Sequence, residues 1–139
     1  MNACGVKYIN DSKGTNVDAS TIAIKALPGG IHLIAGGYDK GADFSEFARG
    51  FDGKVKALYL FGATKERFEK EVKHAGFEGR ISVCNTLREC VEKASSSAAS
   101  GDIVLLSPAS ASWDMYKSFE ERGDEFKELV VELKERVKI

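Results

Sequence analysis

Residues 55–61 (VKALYLF) form an almost continuous apolar run that ends at Gly62. A strand with apolar side chains on both faces is typical of a parallel sheet that helices cover on both sides. Four other runs have the length and composition of strands, and helical patterns separate them: residues 5–10, 31–35, 81–84 and 102–106. This alternation predicts an α/β, Rossmann-like fold. Its mainly parallel, doubly wound sheet of about five or six strands carries helices on both faces.

Helical patterns fill the remaining segments, with apolar side chains recurring every three or four residues. The predicted helices span residues 17–27, 44–51, 64–74, 86–97, 113–121 and 124–138. Asn16 suits the cap of the first helix, and Asp43 with Glu46 resembles a capping box for the second. The 139 residues have the length of one domain, which we assign to residues 5–139, with residues 1–4 as linker or cloning-derived sequence.

The composition argues against several classes of protein. Twenty basic and 21 acidic side chains leave a net charge of -1, which does not favour binding to nucleic acid or to a membrane surface. No apolar run approaches the roughly 20 residues of a membrane span and no signal-peptide pattern opens the chain, so we expect a cytoplasmic protein. Three cysteines without CxxC spacing and two histidines predict no zinc site and no disulfide framework, and Cys84 and Cys90 are expected in the core.

Three unusual loops follow the first, second and fifth predicted strands. They are residues 11–16 (DSKGTN), 36–41 (GGYDKG) and 107–112 (SPASAS). The carboxyl ends of parallel strands meet at one edge of the sheet, where open α/β sheets bind their ligands. We therefore expect these loops to lie side by side.

Lys13 and Lys40 give this edge its chemical character. Each precedes the amino terminus of a predicted helix, where a cation is disfavoured unless an anion binds nearby. The hydroxyl-rich loop that ends at Ser112 also leads into a helix. A solvated capping loop around Lys13, and a simple tight turn at residues 36–37 without the GxGxxG or P-loop pattern, are the competing interpretations. The residues themselves indicate an anionic ligand, a phosphate or a dicarboxylate, and no Ser–His nucleophile.

The same loops resemble a known family. The segments YINDSKGTN (8–16), IAGGYDKGADF (34–44), LLSPASAS (105–112) and FEERGDEF (119–126) are similar to the carboxy-terminal domain of the Mur ligases of peptidoglycan synthesis, in the branch that adds D-glutamate. The resemblance implies an ATP-dependent ligase whose amino-terminal domain holds a UDP-sugar and whose central domain is a P-loop ATPase. ATP would phosphorylate the carboxylate of UDP-N-acetylmuramoyl-L-alanine, and the amine of D-glutamate would attack the acyl phosphate. The magnesium ligands would lie on the central domain, so this domain alone would be inactive.

The resemblance also implies roles for individual residues. Asp11 would approach the ribose of ATP, and Lys13 would face phosphate or the reacting centre. Thr15 and Lys40 would hold the carboxylates of D-glutamate. The remaining residues would complete the pocket (Ser112, the backbone of Trp113, and Phe119) or support it (Asn10, Asp39 and Arg122). Trp113 departs from the leucine common in the family, and the acidic partner of Lys40 is displaced to Asp39.

A receiver-like phosphoacceptor or small-ligand regulatory domain without catalysis is the alternative from another class. Such a domain requires an acidic cluster after the first strand and an aspartate after the third. The third predicted strand ends in Phe61-Gly62, which argues against it.

Overall fold

The computed structural model describes residues 2–3, 5–37, 43–110 and 116–137. The strands in these ranges are β1 (Asn2–Ala3), β2 (Val6–Asn10), β3 (Ile31–Ala35), β4 (Val55–Leu60), β5 (Arg80–Val83) and β6 (Ile103–Leu106). The helices are α1 (Val17–Lys25), α2 (Phe44–Arg49), α3 (Lys65–His74), α4 (Leu87–Ser97) and α5 (Phe119–Val137). None of these helices is long and apolar enough to cross a membrane.

All six strands belong to one sheet in the order β1-β2-β6-β3-β4-β5. Every pairing is parallel except that of β1, which runs antiparallel to β2. The predicted α/β fold with a mainly parallel sheet is therefore confirmed. The short strand β1 was not predicted, because two residues carry no periodicity that a sequence pattern could reveal.

Two apolar layers sandwich the sheet. Helices α4 and α5 pack on one face through a cluster that includes Leu87, Val91 and Phe126. Helices α1, α2 and α3 cover the other face, where Phe44 and Phe68 stack with ring centroids 3.9 Å apart. Cys84 and Cys90 are free thiols buried in the first layer, as the sequence predicted. With both faces covered, the central strands are apolar on both sides.

The prediction of two separate helices near the end of the chain was wrong. The described structure has one helix, α5, that runs without a break through the gap between the predicted helices over 113–121 and 124–138, whereas residues 113–115 and 138 lie outside the described residues. Gly123, in the gap between the two predicted helices, lies inside α5 and is buried. A Cβ atom there would lie 2.9 Å from Asn10 Nδ2 and 3.1 Å from Ser12 Cβ. Gly123 thus allows α5 to approach the loop after β2, and this close packing outweighs its low helix propensity.

The predicted caps of the first two helices are confirmed. The side chain of Asn16 accepts a hydrogen bond from Ala19 N at 2.9 Å, and that of Asp43 accepts one from Glu46 N at 3.1 Å. Each cap satisfies an amide that a helix start would otherwise leave unpaired. The two caps set the positions at which the loops after β2 and β3 end and α1 and α2 begin.

A buried polar network lies near the opposite, amino-terminal edge. His32 Nε2 lies 2.9 Å from Asp102 Oδ2, and His32 Nδ1 lies 3.0 Å from the hydroxyl of Tyr59. Asp102 also accepts hydrogen bonds from Ala99 N and Lys56 Nζ, each at 3.0 Å. Burial of the Asp102 carboxyl acts to raise its pKa, but the hydrogen bonds from Ala99, His32 and Lys56 together lower the pKa to about 2. The network joins the starts of β3 and β6.

The depressed pKa of Asp102 makes a pH-dependent contribution to stability. Because the pKa falls from 3.8 in the unfolded chain to about 2 in the folded one, the contribution is complete above pH 4 and is lost as the pH falls towards 2. We expect Asp102→Asn to be less stable than the unmodified protein at pH 7. That difference should shrink by roughly 2 kcal/mol between pH 5 and pH 2 in urea denaturation. A difference that stays constant across this range would contradict the assignment.

Candidate functional site

At the polar edge of the sheet, two neighbouring strands lead to helices on opposite faces. Strands β2 and β6 are adjacent and parallel. After β2 the chain enters α1 on one face of the sheet, whereas after β6 it enters α5 on the other. In open α/β sheets such a point is the crevice outside the carboxyl ends of the strands where ligands bind.

Backbone hydrogen bonds join the three predicted loops at this crevice. Ala109 N donates to Gly14 O at 2.9 Å, and Gly36 N donates to Pro108 O at 3.0 Å. The loop after β6 thus lies between the loops that follow β2 and β3. The prediction that these loops share one edge is confirmed for their described residues.

The loop after β2 presents Lys13 to solvent. Asp11 N donates to Leu106 O at 2.7 Å, Gly14 N to Asp11 O at 2.8 Å, and Thr15 N to Lys13 O at 2.8 Å. These bonds fold residues 11–15 into a compact turn. Lys13 is exposed, whereas Asp11 and Thr15 are half-buried. The turn brings together Asp11, Lys13 and Thr15, the three residues of this segment that were predicted to contact ligands.

A chain of hydroxyls fixes the carboxylate of Asp11. Ser107 Oγ lies 2.6 Å from Asp11 Oδ2 and 2.8 Å from Ser20 Oγ. Ser20 Oγ in turn accepts a hydrogen bond from Ala109 N at 3.0 Å. The sequence prediction missed Ser20, and it singled out the loop that begins at Ser107 without giving Ser107 a role. Ser20 had a readable signal, since it is a polar residue one turn before Ile24, on the buried face of α1.

Ala109 has a left-handed backbone, with a φ of 58°. A residue other than glycine avoids this region because of steric strain of roughly 1–2 kcal/mol. Two acceptors, Gly14 O and Ser20 Oγ, hold its amide. Such strain concentrates at functional sites, where the surrounding structure imposes the conformation.

A buried arginine supports the edge from behind. The side chain of Arg122, 1% exposed, donates from Nε to Ser12 Oγ at 2.9 Å and from Nη2 to Ser12 O at 2.8 Å. Its Nη1 donates to Ser110 O at 3.1 Å. Arg122 therefore links the loop after β2 to the loop after β6.

Asn10 and Phe119 link the same loop to the start of α5. Ser12 Oγ donates to Phe119 O at 2.6 Å, and Ser12 N donates to Asn10 Oδ1 at 3.0 Å. Asn10 Nδ2 donates to Gly123 O at 3.4 Å. These contacts place Phe119 at the crevice. The pocket role of Phe119 and the supporting role of Asn10 stay predictions.

Four of the predicted site residues cannot be placed. Asp39, Lys40, Ser112 and Trp113 lie outside the described residues. Gly36, at the start of the loop that contains Lys40, has a φ of 118°, and a Cβ atom there would overlap the carbonyl oxygen of Phe61. Glycine is therefore required at position 36 so that β3 can leave the sheet against β4.

Two buried hydroxyls in the described structure have no hydrogen-bond partner, and both belong to this edge. Ser110 Oγ lies just before the predicted pocket residue Ser112, and Thr64 Oγ1 lies at the start of α3. Thr64 N donates to Gly37 O at 3.1 Å, which joins this helix start to the loop after β3. An unpaired buried hydroxyl is costly and needs an explanation. We therefore expect further polar contacts to these two hydroxyls at the carboxyl edge of the sheet.

A neighbouring concavity of about 380 Å³ is less suitable for an anion. It lies between α4 and α5 and includes Tyr116, Glu125, Glu128 and Glu132. Burial and the hydrogen bond to Glu125 at 2.6 Å both raise the pKa of Tyr116, so its hydroxyl remains a donor to that carboxylate. Its three glutamates outnumber its one arginine, Arg88, so this concavity suits an anion less well than the three-loop edge does. No group of three or more His, Cys, Asp or Glu in the described ranges is arranged to hold a metal ion.

The fold and this edge define a Rossmann-like α/β domain whose candidate site lies at a topological switch point. Comparison with known proteins assigns the family. The family described as "Mur ligase, glutamate ligase domain" matches residues 1–110. The chain belongs to the Mur ligase family.

Its relatives include enzymes named UDP-N-acetylmuramoylalanine--D-glutamate ligase. The chain is 55% identical over 131 residues to the one from Thermoanaerobacter sp. (strain X514), covering 94% of this chain and 29% of the relative. It is 53% identical over 131 residues to that of Caldanaerobacter subterraneus subsp. tengcongensis, with the same coverage of both chains. It is 52% identical over 130 residues to that of Alkaliphilus metalliredigens, covering 94% and 28%. The chain thus spans less than a third of these relatives.

Proposed function

We propose that this domain supplies the D-glutamate site and part of the ATP site of a ligase that joins D-glutamate to UDP-N-acetylmuramoyl-L-alanine. The observation that carries the proposal is the joining of three loops at one crevice, with Asp11 held by Ser107 beside the exposed Lys13. The names of the relatives include UDP-N-acetylmuramoylalanine and D-glutamate, and the part given to ATP rests on the resemblance described in the sequence analysis.

On the nucleotide side, Asp11 and Lys13 have complementary roles. Asp11 Oδ2 accepts a hydrogen bond from Ser107, while Asp11 Oδ1 makes no hydrogen bond with the described residues. That second oxygen suits the ribose hydroxyls of ATP. Lys13 suits phosphate oxygens, and its charge would stabilise the negative charge that develops as the amine attacks the acyl phosphate.

On the amino-acid side, D-glutamate presents two carboxylates. Thr15 lies two residues from Lys13 in the same turn, and we assign it and Lys40 to these carboxylates, with Ser112, the backbone of Trp113 and Phe119 completing the pocket. Charge-assisted hydrogen bonds of this kind contribute roughly 1.5–3 kcal/mol each. The contribution of the domain to the rate would then be mainly the positioning of the amine.

The remaining machinery would lie outside these 139 residues. The chain contains no GxxxxGK[ST] sequence to cradle phosphates. The donor set for magnesium is also not found among the described residues, so we derive no step through a metal ion. We expect the isolated domain to release no phosphate when supplied with ATP, D-glutamate and the UDP-sugar. Phosphate release above a no-protein control would contradict this part of the proposal.

Replacement of Lys40 by alanine in the ligase that contains this domain should mainly raise the KM for D-glutamate. Loss of one or two charge-assisted hydrogen bonds corresponds to roughly a 10- to 100-fold increase. Steady-state kinetics with D-glutamate as the varied substrate measures the effect, and Lys70→Ala, on an exposed position of α3, is the matched control. An unchanged KM would remove Lys40 from the pocket.

A further inference from the structure

Ser20 is a polar side chain on a helix face that otherwise packs into the core. It is fully buried, as is Ile24 one turn later. A buried hydroxyl in a helix usually donates to the carbonyl four residues earlier, as the neighbouring Thr21 does to Val17 O at 2.7 Å. Ser20 Oγ is instead directed at the loops after β2 and β6, where it contacts Gly14 O, Ser107 Oγ and Ala109 N. Its hydroxyl therefore lies at the carboxyl edge of the sheet, among the loops of the candidate site.

The contacts of Ser20 determine the direction of the hydrogen bonds. A carboxylate can only accept, so Ser107 donates its single hydroxyl proton to Asp11 Oδ2 at 2.6 Å. Ser107 Oγ must then accept from Ser20 at 2.8 Å, and Ser20 Oγ accepts from Ala109 N at 3.0 Å. The result is one ordered chain from the Ala109 amide through two hydroxyls to the carboxylate. Members of such a chain polarise and orient one another.

We propose that Ser20 is a positioning residue for the nucleotide, acting through Ser107 on the carboxylate of Asp11. The inference rests on the proposed function, in which Asp11 contacts the ribose of ATP. Alanine at position 20 removes the donor that orients Ser107 and leaves Ala109 N with Gly14 O as its acceptor. Ser107 can then rotate, so Asp11 loses a fixed orientation while the loops keep their backbone bonds.

The test is a double-mutant cycle in the ligase that contains this domain, with the KM for ATP as the readout. Ser20→Ala should raise this KM about fivefold, and kcat should change by less than about twofold. In the Asp11→Ala background, which itself raises the KM, Ser20→Ala should have no further effect. A purely structural role would lower the active fraction, and hence kcat, and would give the same factor in both backgrounds.

Two further variants make the comparison specific. Ser20→Thr retains the hydroxyl and should restore the KM to within about twofold of the unmodified enzyme. Ser95→Ala removes a hydroxyl on an exposed part of α4 that donates to Glu92 O and contacts none of the described loops of the site, and it should leave the KM unchanged. If Asp11→Ala raises the KM and Ser20→Ala does not, or if the two effects multiply, the role of Ser20 is refuted. The nucleotide contact of Asp11 in the proposed function is not contradicted by that result. If Asp11→Ala leaves the KM unchanged, the nucleotide contact of the proposed function and the role of Ser20 are both refuted.

Discussion

Arg122→Ala is expected to lower the free energy of unfolding of this domain by at least about 3 kcal/mol. The guanidinium of Arg122, which is 1% exposed, makes at least three hydrogen bonds, of which two go to Ser12 and one to Ser110 O. Truncation removes the donor from each of these acceptors, at roughly 1–3 kcal/mol for each lost partner, and creates a cavity. Urea denaturation followed by circular dichroism measures the change.

Arg122→Lys should not restore the free energy of unfolding. The ammonium of lysine is a compact point charge and cannot span Ser12 and Ser110 as the planar guanidinium does. Arg49→Ala is the matched control, because Arg49 is exposed and pairs with Glu46 only across one turn of α2. That change should cost less than about 1 kcal/mol. A loss below about 1 kcal/mol for Arg122→Ala would show that the arginine does not hold the two loops together.

Lys13→Ala should reduce the kcat of the ligase by roughly 100-fold or more. A preorganised cation aimed at developing negative charge contributes on the order of two to three powers of ten in rate. Stability should change by less than about 0.5 kcal/mol, because Lys13 is exposed and makes no side-chain hydrogen bond with the described residues. Single-turnover measurement of amide formation separates this effect from product release.

Lys7→Ala provides the comparison for Lys13. Lys7 is an exposed lysine near the start of β2, away from the carboxyl edge, and its loss should leave kcat unchanged. A kcat for Lys13→Ala within about threefold of the unmodified enzyme would move this lysine away from the reacting centre.

The strands were predictable because their apolar runs are short and clearly bounded. Residues 31–35 were predicted with the observed bounds, and residues 55–61 differ by one position from β4. The apolar composition of these segments follows from their coverage by helices on both faces. The strand order could not be read in the same way, because the position of β6 between β2 and β3 depends on long-range packing.

The continuity of α5 could not be predicted from local preferences. The segment around Arg122 and Gly123 reads as polar and flexible, but both residues are buried against Asn10 and Ser12, more than a hundred positions away. Helix propensity is a weak prior that tertiary contacts override. The same contacts explain why an arginine in a charged sequence is among the most buried side chains of the domain.

The placement of the loops of the site was predictable from the sequence, whereas the hydrogen bonds between them were not. βαβ topology brings Lys13 and the serine-rich loop to one edge, and the described residues agree with that placement. The link from Ser20 through Ser107 to Asp11 joins residues up to 96 positions apart, which no local pattern encodes. The positions of Asp39, Lys40, Ser112 and Trp113 stay predictions.

The central claim is that the carboxyl edge of the sheet holds D-glutamate and part of ATP. The most direct test is titration of the ¹⁵N-labelled domain with millimolar D-glutamate, with and without ATP, followed by amide chemical shifts. We predict shifts concentrated in residues 11–16, 36–37 and 107–110, with smaller changes for L-glutamate. Shifts concentrated around His32 and Asp102 at the opposite edge, or equal responses to both enantiomers, would contradict the claim.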